Sequence, residues 1–367
     1  MTLPGLPVPR TWSPGDKVLV PYLRADLEQA VALLAMRPHF IGQSTTGEAC
    51  PSASATTLTM DATLTDTWSG FSNPSANVYR CELPGWYLCD ARIPFSYTSS
   101  TAAPLLAGFS SSDTSAGATV WGAVTVNGST SGTVLARSLD LIQMLTSGPA
   151  GTVTAAIARQ DSGGTVNLST AGGSLPTVSV KWVSALTGTQ PLPVPPLTSA
   201  PSPVTAAWLN ANLRDAVRYL IYPPAMKAHY TAGSSSLAST SLASPAIVPL
   251  TTVDTDNYGQ FTTGASAFYN IPVSGRYLFA GQVNLATSST TTFRACGLMV
   301  NGATVYWGGI TRFAGSGLAS GAAVTKRLRL NAGDFVQLVA AQASGGSIAY
   351  NTTAGNQTRM LAVWEGA

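Results

Sequence analysis

The stretch VLVPYLRADLEQAVALLA (residues 18–35) returns 186 residues later as VTAAWLNANLRDAVRYLI (204–221). Leu23, Ala25, Leu27, Ala30, Val31 and Leu34 align with Leu209, Ala211, Leu213, Ala216, Val217 and Leu220. Every shared position is apolar, and most fall on one helical face. After the helix an offset of 190 takes over. RPHF (37–40) then meets KAHY (227–230), so the chain's two histidines, His39 and His229, coincide. Trp68 and Phe71 meet Tyr258 and Phe261, and VYRCELPGWYL (78–88) meets FYNIPVSGRYL (268–278). VTVNG (124–128) meets LMVNG (298–302), and VSVKW (178–182) meets MLAVW (360–364). Anchors that recur in one order mean a duplicated module, which restricts the chain to a fold that half its length can build.

Between the copies, TQPLPVPPLTSAPSP (189–203) holds six prolines and no periodicity. Proline removes donors and fixes φ, so this segment reads as a semi-rigid linker. The expected organisation is an N-terminal segment and helix (1–40), a first β unit (41–188), the linker (189–203), a second helix (204–225) and a second β unit (226–367). Within the units, apolar residues alternate. Tyr87, Cys89, Ala91, Ile93 and Phe95 share one face, as do Tyr277, Phe279, Val283 and Leu285. Cys89 stands where Phe279 stands, which predicts a buried thiol. Asn127-Gly128 and Asn301-Gly302 signal type I′ hairpins, because both residue types tolerate φ > 0. Trp182 and Trp364 align at strand-like positions and read as core. Many short strands with such turns predict a mainly β chain: tandem antiparallel jelly-roll sandwiches, each preceded by a short amphipathic α-helix.

FYNIPVSGRYLF (268–279), LMVNGATV (298–305) and LRLNAGDFVQL (328–338) together resemble the signature of the C1q/TNF-like jelly rolls. The first copy is similar through VYRCELPGWYL, although its counterpart of Gly333-Asp334 is degraded around LTSGPAGTVTAAI (145–157). The resemblance implies the fold and, commonly for that family, trimeric assembly. The helix carries a second resemblance. TW at 11–12 leading into Leu23 and Leu27, and VTAAWLNANLRDAV (204–217), are similar to the segment that opens many minor tail proteins of phages infecting actinobacteria. The second copy keeps Asn210 and Arg214-Asp215. The first has Arg24 and Glu28-Gln29 instead.

Val20, Leu23, Leu27, Ala30 and Leu34 are spaced three and four apart, as are Ala206, Leu209, Leu213, Ala216 and Leu220. That is an a/d seam of about two heptads, too short to be stable without tertiary contact. Two readings stand side by side. Each helix caps its own jelly roll, or three copies meet as a helical collar through Leu23, Leu27, Leu34, Leu209, Leu213 and Leu220.

Charged residues make up 10% of the chain against about 25% in ordinary soluble domains, which suits surfaces covered by partners. A net charge of +3 argues for neither nucleic acid nor a membrane surface. No apolar run reaches the ~18–20 residues of a membrane span, and the start lacks signal-peptide regions, so folding in a cytoplasm is expected. Cys50, Cys81, Cys89 and Cys296 lack metal-ligand spacing and read as buried small hydrophobes. VDTDNYG (253–259) resembles a calcium loop, but only Asp66 matches Asp256 in the other copy, which favours an Asx-turn. No G-x-S-x-G elbow occurs, and GGITRFAGSGLASG (308–321) lacks the Lys-Ser/Thr ending of a phosphate loop. TSSTTTF (287–293) is compatible with sugar binding or with a solvated strand. The expectation is a non-enzymatic virion structural protein without cofactor or metal. It would be a trimeric minor tail component, tail-tip or fibre-like, alongside other virion proteins. Contact with a host surface glycan is left open. The alternative is a capsid decoration or head-fibre protein, or a carbohydrate-binding receptor module.

Overall fold

The computed structural model describes residues 37–366 except 51–54, 73–76, 98–102, 113–119, 127–131, 146–150, 160–165, 171–174, 187–204, 232–234, 287–292, 313–319 and 353–356, with isolated positions before 37. The Pro-rich linker and Leu23, Leu27, Leu34, Asn127 and Gly128 lie outside the described residues.

The first unit contains β1 (His39–Gln43), β2 (Thr56–Thr57), β3 (Ala62–Asp66), β4 (Phe71–Ser72), β5 (Val78–Arg80), β6 (Gly85–Tyr97), β7 (Ala103–Ser111), β8 (Val120–Val126), β9 (Gly132–Met144), β10 (Thr152–Arg159), β11 (Val166–Leu168) and β12 (Thr177–Ser184). One sheet runs β3-β1-β12-β6-β9 and the other β4-β5-β10-β7-β8, with β11 on β6 and β2 on β10. The second unit contains β13 (Ala225–His229), β14 (Ser236–Leu237), β15 (Ala246–Ile247), β16 (Thr252–Asp256), β17 (Phe261–Thr262), β18 (Phe268–Asn270), β19 (Gly275–Leu285), β20 (Phe293–Val300), β21 (Thr304–Arg312), β22 (Ser320–Leu330), β23 (Phe335–Gln342), β24 (Ile348–Ala349) and β25 (Arg359–Gly366). Its sheets run β16-β13-β25-β19-β22 and β17-β18-β23-β20-β21, with β15 on β23 and a separate pair β14-β24. Strand for strand, the two orders are the same. All these pairings are antiparallel, and the chain passes back and forth between the two sheets. The fold is therefore mainly β, two jelly-roll sandwiches in tandem.

Each sandwich buries its own core between its sheets. Tyr87, Cys89, Ala91, Ile93 and Phe95 are all buried on the inner face of β6. Tyr277, Phe279, Val283 and Leu285 do the same on β19. The duplication extends to single atoms. Tyr87 donates its hydroxyl to the Leu83 carbonyl at 2.8 Å, and Tyr277 donates to the Val273 carbonyl at 2.8 Å. Gly85 (φ +154°) and Gly275 (φ +155°) open the paired strands, and a Cβ at either would press into the indole of Trp182 or Trp364. Only glycine tolerates both that φ and that contact. Trp182 is fully buried, and Trp364 packs half-buried on the second core.

Two sequence alignments fail against the register. Phe40 pairs with Asp66 before a bulge, and Met226 pairs with Asp256 before the matching bulge. Phe40 is thus equivalent to Met226, and the offset of 186 continues through the first strand. His39 opens β1 opposite the place of Ala225, whereas His229 ends β13 opposite the place of Gln43. The four extra residues of the second copy lie between β13 and β15, so the histidines are not counterparts. The two VNG motifs are not counterparts either. Val124–Val126 belongs to β8, but Leu298–Val300 belongs to β20, whose equivalent is β7. Asn301 (φ 52°) and Gly302 (φ 66°) do form the expected tight turn.

Candidate functional site

The helix between the units is not a uniform α-helix. An α turn (Ala206–Leu209), capped by the Thr205 hydroxyl, gives way to a π-helical segment (Asn210–Arg214) and a second α segment (Asp215–Ile221). One π turn inserts a residue and rotates the apolar stripe. Leu209, Val217, Tyr219 and Ile221 are buried, while Leu213 and Leu220 are half-buried. Val217 and Ile221 join the first unit's core. Tyr219 meets Trp364 edge-on at 5.2 Å and Tyr258 at 6.3 Å, both from the second unit. The helix is a wedge between the sandwiches, touching both. In the first copy only Glu28, Ala32 and Leu33 are described as helical, and Leu33, at the place of Tyr219, is fully buried in the first core.

Around this wedge the outward faces of β6, β9 and β12 meet those of β13, β19 and β25. Trp86, Leu141 and Val183 pack against Ala225, Ala280, Leu361 and Val363. The pattern follows from divergence of the copies. Register places Arg276, Arg327 and Glu365 at the positions of Trp86, Leu141 and Val183. There Glu365 accepts from Arg327 at 2.9 Å and lies 3.4 Å from Arg276, with both arginines 62% exposed. Conversely, His39, Asp90, Ser179 and Lys181 hold the positions of Ala225, Ala280, Leu361 and Val363. The same fold positions are apolar at the centre of the seam and polar at its edge, where His39, Lys181 and Glu365 line one groove.

Polar bonds lock the seam. Asp140 is fully buried, and Lys227 crosses from β13 with Nζ 3.0 Å from both carboxylate oxygens. Lys227 also donates to the Leu141 carbonyl at 2.9 Å. Arg359 Nε stands 3.9 Å from Asp140 Oδ1. Burial pulls the Arg359 guanidinium pKa down, opposed by Asp140 and Asp254. Asn257 donates to the Ser184 hydroxyl at 2.9 Å, and Arg37 donates to the Leu220 carbonyl at 3.2 Å while lying over Trp182. Two grooves flank the seam, one of about 360 Å³ beside Arg359 and one of about 380 Å³ beside Lys181.

The remaining sequence candidates have local roles. Asp256 accepts from the amides of Phe261 (2.6 Å) and Tyr258 (3.3 Å), and Asp66 accepts from those of Gly70 and Phe71. Both are Asx-type turn acceptors. Asp254 bonds His229 Nδ1 at 2.9 Å. Among the described residues no group of His, Cys, Asp and Glu could hold a metal. His39 Nε2 lies 3.3 Å from the Ser179 hydroxyl. Burial, then repulsion from Lys181, lowers the His39 pKa. All four cysteines are buried. No helix among the described residues is long and apolar enough to cross a membrane. Sequence reasoning missed Asp140, Lys227 and Arg359 and the whole seam. The available signal was a switch in polarity between aligned outward positions.

No protein-family model matches the chain, and no curated protein does. Solved structures similar to it include the globular domain of zebrafish complement 1qA protein, at 15% identity and a TM-score of 0.27, covering 40% of this chain and 96% of that one. Murine APRIL at pH 8.0 is 8% identical with a TM-score of 0.28, covering 38% of this chain and 98% of that one.

Proposed function

We propose that this chain is a structural component of a tailed-phage virion. It is a minor tail protein, tail-tip or fibre-like, that assembles as a trimer and turns its jelly rolls toward the host. The phage assignment draws its support from the helix motif, Asn210 with Arg214-Asp215. The observation that carries the assembly reading is the state of Leu213 and Leu220. Both remain half-buried in a single chain, although Leu209, Val217 and Ile221 of the same helix are fully engaged. Apolar side chains left partly open on a wedge helix are suited to a neighbouring copy. Mass photometry of the purified chain tests this. A species near three times 37.7 kDa supports the trimer, and a monomer at all concentrations overturns it. Leu213→Asp should then dissociate the trimer. Antibody labelling of particles reads tail against head. The carbohydrate-binding alternative is favoured by one feature, the cationic groove beside Arg359.

A further inference from the structure

We propose that the groove beside Arg359 is a binding site for the carboxylate of an acidic sugar, a uronic acid, with Arg359 as the anchoring donor. The groove has a volume of about 360 Å³ and lies between β9 of the first unit and β19, β21, β22 and β25 of the second. That is within the usual range for small-molecule sites.

Arg359 is 6% exposed, yet its guanidinium makes no hydrogen bond to any described residue. Its nearest carboxylate oxygen, on Asp140, is 3.9 Å away, and that carboxylate is already engaged by Lys227. A guanidinium carries five N–H donors. Those of Arg359 open onto the groove, so a ligand there can take the bonds that the protein does not supply. The planar fork of arginine fits a carboxylate with two parallel bonds.

The surroundings favour an anion on a polar ring. Lys326 is half-buried in the wall and Arg137 stands at the rim, where its own partner is Asp90 at 2.7 Å. Trp307 offers an aromatic wall, and Gln282 a buried amide that donates to Asn284. Gly308 lets β21 approach β22 closely at the groove wall, since a Cβ there would press against the Ala323 carbonyl and Val324. Cation, aromatic ring and amide within one groove suit a charged sugar better than a bare ion. The site stands on the geometry of the seam. Only its use in host contact rests on the virion reading.

The test is calorimetric titration of the full chain with glucuronate, glucose and acetate at equal ionic strength. Glucuronate should saturate at one site per chain, glucose should not bind, and acetate should bind at least about tenfold more weakly. Lys326→Gln should weaken glucuronate by about tenfold or more with an unchanged urea midpoint, and Trp307→Ala should weaken it as much in the folded chain. Arg359→Gln should abolish binding if the variant folds, and the other two variants decide the matter if it does not. Absence of glucuronate binding by folded wild-type chain overturns the proposal. So does acetate binding as tightly as glucuronate, or indifference of both wall variants. The mass of the same sample reports assembly separately, so a binding monomer refutes the trimer alone and a non-binding trimer refutes the site alone.

Discussion

Replacing Lys227 by Met tests whether the Asp140–Lys227 bridge couples the two sandwiches. The ammonium lies 3.0 Å from both Asp140 oxygens and 2.9 Å from the Leu141 carbonyl. Its loss leaves a carboxylate with no exposure to water. Orphaning one member of a buried ion pair costs about 3–5 kcal/mol. Arg359 remains 3.9 Å away, and at an effective dielectric of 20 it retains roughly 4 kcal/mol of attraction. The expected cost is therefore at the lower end, about 3 kcal/mol. Asp140→Asn should cost a similar amount, because Lys227 and Arg359 then share a seam without an anion. The double variant removes both members and should be little worse than either single one, giving a coupling energy of about 2 kcal/mol or more. Urea unfolding followed by tryptophan fluorescence measures all four corners of the cycle. The Lys227→Met transition should also broaden or split as the units unfold separately. Additive costs within about 0.5 kcal/mol would refute the coupling. So would a Lys227→Met variant indistinguishable from wild type.

Tyr277→Phe removes the bond to the Val273 carbonyl, and Tyr87→Phe removes the bond to the Leu83 carbonyl with a longer one from the Leu83 amide; each should cost about 1 kcal/mol, additively, by thermal or urea unfolding. Gly275→Ala forces a side chain into the Trp364 indole at φ +155° and should destabilise the second unit by roughly 2 kcal/mol or more. Gly85→Ala should do the same to the first unit. Because burial lowers the His39 pKa in the folded chain, the unfolded chain binds the proton more readily. Stability from this group is complete above pH about 6.5 and falls on acidification through the window below it. The urea midpoint at pH 5.5 relative to pH 7.5 should drop less in His39→Gln than in wild type. Cys89 and Cys296, fully buried and with thiol pKa values pushed up by burial, should resist iodoacetamide until the chain unfolds.

The strands were legible because their chemistry is periodic. Tyr87, Cys89 and Ala91 alternate with outward residues, and the same spacing recurs at Tyr277 and Phe279, so the cores and the offset of 190 follow from the pattern alone. The first strand was misread because His39 and His229 are identical letters with different register. Inward Phe40 and Met226 set the true match, and a bulge fixes it. Asn-Gly pairs mark tight turns without saying which hairpin they close, which misled the VNG alignment. The helix stripe was legible as apolar, but the π segment that rotates it leaves no simple spacing signal. The seam escaped because alternation marks the inward face and says nothing of what covers the outward one. Only the switch from Arg276 to Trp86, or from Lys181 to Val363, betrays which part of that face forms the centre of the contact.

The position of Glu365 also bears on how far this arrangement can propagate. The sandwiches meet through the same outward sheet face of each copy, and His39 and Lys181 of the first share a groove with Glu365 of the second. That is a pseudo-twofold contact, and contacts of this kind close as a pair instead of extending into filaments. With each copy's sheet face spent on the other, no equivalent face is left to receive a third sandwich.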